Sequence, residues 1–324
     1  MNVLCTSAGR RVALVRAFQA AVGPYGGRVI AADLSRASSA SHVADTGVTV
    51  PRVTDPSYVE RVVALCEEHH IGLVVPLIDP ELPVLAAARD RLAAVGAVLV
   101  ASGPETAAVS DSKRVATQFF ERAGLGTARL VEPDAVRRGE VPLPVFLKPE
   151  DGSSSIGSRS IPSLSELEYW LPRTRRPLLF EELTGPEYTV DVYVGLDGQP
   201  RCAVPRRRLE VRAGEVSKGI TEAHPAVMRD ALRAAAALPD ARGVLTFQCR
   251  VDTGGTPRFF ELNARFGGGA PLSIAAGADF PRWLVEERLG RRPQIAEPAF
   301  RHGVLMLRYD DAVFLEDGHA LLAP

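Results

Sequence analysis

In "FFELNARFGGG", residues 259–269, three groups that could do chemistry recur at every second position. Side chains of an extended strand alternate between its faces, so Glu261, Asn263 and Arg265 project together with residue 259, while Phe260 and Leu262 are expected in the core. The preceding run "GVLTFQCRVD" joins it through "TGGT", a hairpin signal. Alternation there places Thr246, Gln248 and Arg250 on one face and Phe247 and Cys249 on the other, and a suitable register brings Gln248 to the same site. Oxygen donors from Gln, Glu and Asn suit magnesium, which completes its shell with water and phosphate oxygens. Two ions along a phosphate chain, with one bridging carboxylate, would be served by this set. The solvated face of a hairpin explains one such residue easily and explains Glu-x-Asn-x-Arg before three glycines poorly.

A second stretch, "FLKPEDGSSSIGS" at 146–158, sets Lys148 at a strand end before a loop too small in side chain to build a core. Such a loop offers backbone N–H groups to phosphates from Gly152, Ser153, Ser154, Ser155 and Gly157, with Lys148 as a point charge. Lys113, at the start of an earlier helix, is expected to reach the same polyphosphate. In "LLFEELTGPEYTVDV" the apolar strand ending at Glu181, Glu182 and Leu183 presents backbone groups to an adenine edge, and Glu187 can accept from two ribose hydroxyls. Each piece alone reads as surface; together they read as a nucleotide site.

The elements that must position these groups are legible in outline. "NVLCTS", "RVIAADLS", "IGLVVPLI" and "AVLVAS" alternate with helical patterns, the last of them "ELPVLAAARDRLAAVG", and predict a parallel sheet covered on both faces. Ligands of such sheets sit at the carboxyl ends of the strands, here "TSAGRR", "ADLSRASS" and "PLIDPEL". "TSAGRR" puts Arg10 and Arg11 at a helix N-terminus, a natural anion site, although it lacks a GxGxxG fingerprint. From Pro104 the pattern changes: Asp111-Ser112 caps a helix carrying Val115, Phe119 and Phe120, and a small α+β module follows. We expect an α/β region at 1–103, a first α+β unit at 104–183 and a second at 184–324 that holds the hairpin.

Composition bounds the function classes. A chain of 324 residues with 46% apolar content and a net charge of -1 suits a globular enzyme and argues against a nucleic-acid binder held by phosphate neutralisation. "RTRR" at 173–176 is expected as a solvated loop. No apolar run approaches the ~20 residues that span a bilayer, and no signal peptide is evident, so a cytoplasmic location is expected. Cys5, Cys66, Cys202 and Cys249 form no CxxC pair and read as small apolar residues.

The order Lys113, Lys148 with "KPEDGSSSIG", "EELTGPEYTVD", Gln248 and "ELNARFGGG" resembles the ATP-grasp superfamily, in particular members similar to the carbamoyl-phosphate synthetase large chain. The resemblance implies an N-terminal pre-ATP-grasp domain, a nucleotide held between two α+β subdomains, and ATP with two Mg2+ (Mn2+ as substitute). Lys113 and Lys148 would contact phosphates, Glu181 and Leu183 the adenine, and Glu187 the ribose. Glu261 would bridge the metals, and Arg265 would bind the acyl phosphate. The chain is short for carbamoyl-phosphate synthesis, and Gln248 stands where many relatives carry an acid. The expected activity is a carboxylate-amine ligase; the alternatives are a phosphotransferase or carboxylase of the same fold and a non-catalytic nucleotide binder. Substrate recognition is expected from Arg10, Arg208, Lys218 and the backbone at Gly268, with Arg206, Arg212 and His224 on the same stretch. His224 is expected as a loop residue rather than a catalyst. The partners are a small carboxylate and an amine, with no nucleic acid and no membrane. A homodimer is the default assembly for a soluble enzyme.

Overall fold

The computed structural model describes residues 1–152, 156–212, 214–316 and 318. The chain opens with β1 (Asn2–Thr6), α1 (Val12–Val22), β2 (Val29–Asp33), α2 (Ser39–Val43), β3 (Thr46–Thr49), α3 (Tyr58–Glu68), β4 (Ile71–Pro76), α4 (Glu81–Ala87), α5 (Arg89–Ala94) and β5 (Val98–Leu99). The strands form one parallel sheet in the order β3-β2-β1-β4-β5. Val3, Leu4, Leu73 and Val74 are fully buried, as continuous apolar strands covered on both faces must be. Two details differ from expectation. The single helix expected over "ELPVLAAARDRLAAVG" is interrupted at Ala88, and β3 carries "TGVT", an edge strand with no apolar run to announce it.

Next come α6 (Pro104–Asp111), α7 (Lys113–Arg122), β6 (Leu130–Val131), α8 (Pro133–Arg137), β7 (Val145–Pro149), β8 (Arg159–Ile161), α9 (Leu164–Trp170) and β9 (Pro177–Glu181). These strands form an antiparallel sheet, β6-β9-β7-β8. The Ser112 hydroxyl accepts from the Val115 N–H and starts α7, whose Phe119 and Phe120 are buried. "RTRR" is more than a solvated loop: Arg176 pairs with Glu150 at 3.0 Å, its carbonyl accepts from the Glu150 N–H, and Arg175 pairs with Asp151. The acidic pair after Lys148-Pro149 thus pins the root of the small-residue loop to β9.

The remainder is β10 (Glu187–Val194), β11 (Pro200–Arg212), β12 (Glu215–Thr221), α10 (Pro225–Ala237), β13 (Gly243–Val251), β14 (Pro257–Asn263), α11 (Ala270–Ala275), α12 (Phe280–Arg288) and β15 (Leu305–Leu307). The antiparallel sheet runs β14-β13-β10-β11-β12-β15. His224 lies in the loop before α10, as expected, and caps that helix, its Nδ1 accepting from the Val227 N–H. All four cysteines are buried and unpaired, and burial pushes the Cys5 thiol up to about 12, which keeps it an inert apolar group. Among the described residues no helix is long and apolar enough to cross a membrane.

Candidate nucleotide and metal site

The hairpin supplies the centre of the site. β13 and β14 pair so that Gln248 lies opposite Glu261 and Thr246 opposite Asn263, and the alternation of β13 holds, with Phe247 and Cys249 in the core. On β14 it does not. Cys249 lies opposite Phe259 while Gln248 lies opposite Glu261, so Phe260 is the extra residue of a β-bulge. Phe259 and Leu262 are therefore the buried pair, and Phe260, expected in the core, turns into the site beside Glu261.

Phe260 there forms one wall of a box around Lys148. The Lys148 Nζ lies 4.4 Å from the Phe260 ring centroid, 5.2 Å from Phe146 and 5.7 Å from Phe180. The rings attract the ammonium. Burial nonetheless lowers its pKa to about 8, with Glu261 acting in the opposite sense. Lys148 lines a cavity of about 350 Å³ between the two antiparallel sheets, together with Lys113, Gly152, Glu181, Glu187 and Glu261. Lys113 donates to the Gly152 carbonyl at 2.9 Å, and desolvation lowers its pKa. Both lysines thus converge on one space, as the sequence suggested.

Glu181, Glu182 and Leu183 line the cavity, but the Glu181 N–H is committed to the Arg129 carbonyl and its carboxylate takes Arg258 at 2.5 Å. Glu182 accepts from Ser160 at 2.5 Å. Glu187 already holds two cations, Arg250 at 2.7 Å and Arg208 at 3.1 Å, and a ribose would share it with them. Gly152 lines the cavity; Gly157 does not, sitting between its lining residues Ile156 and Ser158. Ser153, Ser154 and Ser155 lie outside the described residues.

Glu261 and Gln248 line both this cavity and a second one of about 100 Å³ farther along the same face of the hairpin. The donors fit a hard divalent ion: one carboxylate and two amide oxygens face one space, each already held by a cation or an N–H. Asn263 Nδ2 donates to Glu261 Oε1 at 3.0 Å, Arg265 approaches Asn263 Oδ1 at 3.5 Å, and Arg208 approaches Gln248 Oε1 at 3.4 Å. Among the described residues no cluster of three His, Cys, Asp or Glu could hold a metal without further ligands. This set therefore suits magnesium that brings phosphate oxygens with it, not an all-protein cage.

The second cavity is walled by arginines: Arg11, Arg206, Arg208 and Arg265. Arg265 also reaches out of the hairpin to Asp79 of the β4–α4 loop at 2.5 Å, so a loop of the parallel sheet positions it. The same loop is braced by Glu81, which is fully buried and accepts from Thr6, Ser7 and Tyr58 at 3.0, 2.5 and 2.5 Å. Gly268 lines the cavity, and a Cβ there would lie 3.1 Å from the Glu215 carboxylate. Three expected residues are not brought in. Arg10 is 75% exposed and pairs with Glu215 at 3.3 Å, so of the two neighbouring arginines it is Arg11 that turns inward. Lys218 is half exposed and paired across the strand with Glu210 at 2.7 Å, and Arg212 pairs with Asp310 at 2.6 Å; neither lines either cavity. Arg206, Arg250, Phe260 and Asp79 are the residues of the site that sequence reasoning did not select. Arg250 carried a signal in its parity with Gln248, and Arg206 and Asp79 lie on stretches read as substrate-facing without being singled out there.

Residues 3–100 match the family described as the PylC-like N-terminal domain, and residues 173–311 match the one described as ATP-grasp in the biosynthetic pathway with Ter operon. No curated protein matches the chain. Among solved structures, the biotin carboxylase domain of Hydrogenobacter thermophilus 2-oxoglutarate carboxylase, in complex with MgADP and bicarbonate, superposes with a TM-score of 0.72 at 18% identity, over 94% of this chain and 73% of that one. An L-amino acid ligase from Bacillus licheniformis gives 0.69 at 18% identity over 93% and 77%. N5-carboxyaminoimidazole synthetase from Staphylococcus aureus gives 0.68 at 14% identity over 90% and 78%.

Proposed function

The chain belongs to the ATP-grasp superfamily, and from that premise we propose that it is an ADP-forming ligase that joins a small carboxylic acid to an amine through an acyl phosphate. The observation that carries this reading is the hairpin shared by two cavities. Glu261 and Gln248 line both a nucleotide-sized space and an arginine-walled space next to it, which supports a γ-phosphate beside Glu261 within reach of an acid.

The chain's own residues divide the work accordingly. Lys113 and Lys148 hold the phosphates, backbone groups of Glu181 and Leu183 meet the adenine, and Glu187 meets the ribose. Glu261, Gln248 and Asn263 would hold Mg2+, in our reading two ions, which neutralise phosphate charge when bound. An acid oxygen attacks the γ-phosphorus in line and the β–γ bridging bond breaks, releasing ADP. The amine nitrogen then attacks the acyl carbon, the C–O bond to phosphate breaks, and the nitrogen loses its proton as the amide forms. Arg265 is placed to stabilise the negative charge of the acyl phosphate and of the oxyanion formed on attack. Positioning and charge neutralisation suffice, and no general base is needed when the amine arrives unprotonated.

Hydroxylamine trapping tests the step. Enzyme, MgATP and the cognate acid should yield a hydroxamate with ADP in equal amount, and ADP formed without hydroxamate would sink the acyl phosphate. The small volume of the second cavity favours one further reading, in which the acid is bicarbonate and the fold acts as a carboxylase. ADP release that requires bicarbonate and no other acid would select it.

A further inference from the structure

Most arginines around the second cavity have partners that account for their charge, and two features do not. Arg206 is 1% exposed; its Nε and Nη2 both donate to Asp191 at 2.8 Å, and Asp191 also accepts from Ser273 at 2.6 Å. Its buried Nη1 has no hydrogen-bond partner among the described residues, as is true of Arg208 Nε and Arg265 Nε, but the latter two side chains face carboxylates through other contacts, and Arg206 is one of the residues that line the cavity. The chain keeps Arg206 Nη1 in place by omitting a side chain opposite, since a Cβ on Gly269 would fall 2.1 Å from it. An orphaned buried donor on a cation is costly, which marks a position reserved for an acceptor.

Arg11 is the second feature. Its guanidinium faces the same cavity and forms no ion pair or side-chain hydrogen bond among the described residues, while Arg265, Arg208 and Arg10 have Asp79, Glu187 and Glu215. Burial and the charge of Arg265 lower its pKa to about 10, which leaves it a cation at neutral pH. Arg11 is also the N-cap residue of α1, an 11-residue helix whose first turn has no side-chain cap. The helix adds partial positive charge on the same side. Of the two carboxylates on this wall, Glu261 belongs to the metal donors, and Glu215 is already paired with Arg308 at 2.8 Å and with Arg10 at 3.3 Å.

Arg265 and the metal donors account for one anionic group, the carboxylate that is phosphorylated. We propose that the acid carries a second anionic group, a carboxylate or a phosphate, and that Arg11 and Arg206 form the subsite that holds it. This rests on the ligase reading and narrows its substrate to dianionic acids of few carbons.

The test is calorimetric binding to the full chain saturated with Mg2+ and β,γ-methylene-ATP. Matched acids are compared: succinate against butyrate, aspartate against 2-aminobutyrate, and phosphoglycolate against glycolate, the last pair separating a phosphate from a carboxylate. At least one dianion should bind about ten-fold tighter than its partner, the worth of one charge-assisted hydrogen bond. Arg11→Gln should erase that advantage and leave the monoanions and the nucleotide analogue unchanged, with Arg11→Lys restoring part of it. Arg206→Gln would unpair Asp191 and unsettle the sheet, so Arg11 carries the test. Equal affinity within every pair, or an equal loss for both members in Arg11→Gln, overturns the subsite alone. Failure of the nucleotide analogue to bind overturns the ligase reading beneath it.

Discussion

Asp79, in a loop of the parallel sheet, holds Arg265, at the end of the metal-facing strand, by an ion pair of 2.5 Å. The first and last sheets of the chain therefore meet at the guanidinium assigned to the acyl phosphate. Asp79→Asn should lower kcat/KM for the acid about 10- to 100-fold, the span of a charge-assisted hydrogen bond, with MgATP affinity unchanged. An unaltered kcat/KM would show that Arg265 needs no partner.

Glu261 is the one carboxylate on the shared hairpin face, opposite Gln248. Glu261→Ala should cut ADP formation by more than about a hundred-fold while leaving the melting temperature of the apo protein close to wild type, because the side chain is only partly buried. Normal ADP production in this variant contradicts the metal assignment. Gln248→Glu, which adds a charged oxygen to the set, should lower the Mg2+ concentration needed for half-maximal rate.

Lys148 gives a pH signature. Its pKa of about 8 in the free protein means that the ammonium is present below pH 8 and is lost above it. Bound phosphates favour the charged form, so binding takes up a proton above pH 8, and the Kd for MgATP should be flat below pH 8 and rise towards ten-fold per pH unit above it. Lys148→Met should weaken binding and flatten that rise. A flat profile in wild type would remove Lys148 from the phosphates.

Gly269→Ala would press a Cβ onto the Arg206 guanidinium and should destabilise the fold by about 1–3 kcal/mol. Gly23→Ala is the control, having helical φ and open space around it, and should leave the melting temperature unchanged. Equal melting temperatures for the two variants would show that the turn at 267–269 yields easily.

Much of this site was legible because it is built on periodic elements. Glu261, Asn263 and Gln248 follow strand parity, and Lys113 and Lys148 begin or end an element, where polar residues stand out against apolar neighbours. Phe260 was misassigned because a bulge changes parity without leaving a sequence mark, the bulged residue here being an ordinary phenylalanine. Arg206 and Lys218 were misjudged for a related reason: on long β11 and its neighbour, charged residues fall on both faces, and only the buried Asp191 reveals which arginine is inside. Arg11 was legible as one of two arginines at a helix N-terminus, but which of the two turns inward, like the pairing of Asp79 with Arg265, depends on contacts between sheets. The parallel sheet was read correctly except at β3, whose short Thr-Gly-Val-Thr strand lacks an apolar run.

The most direct measurement of the central claim is ADP release from MgATP against a matrix of small acids and amines, each alone and in pairs, with products weighed by mass spectrometry. ADP should appear only where one acid meets one amine, with a product mass equal to acid plus amine minus water. ADP released in equal amount with no product of that mass would contradict that claim.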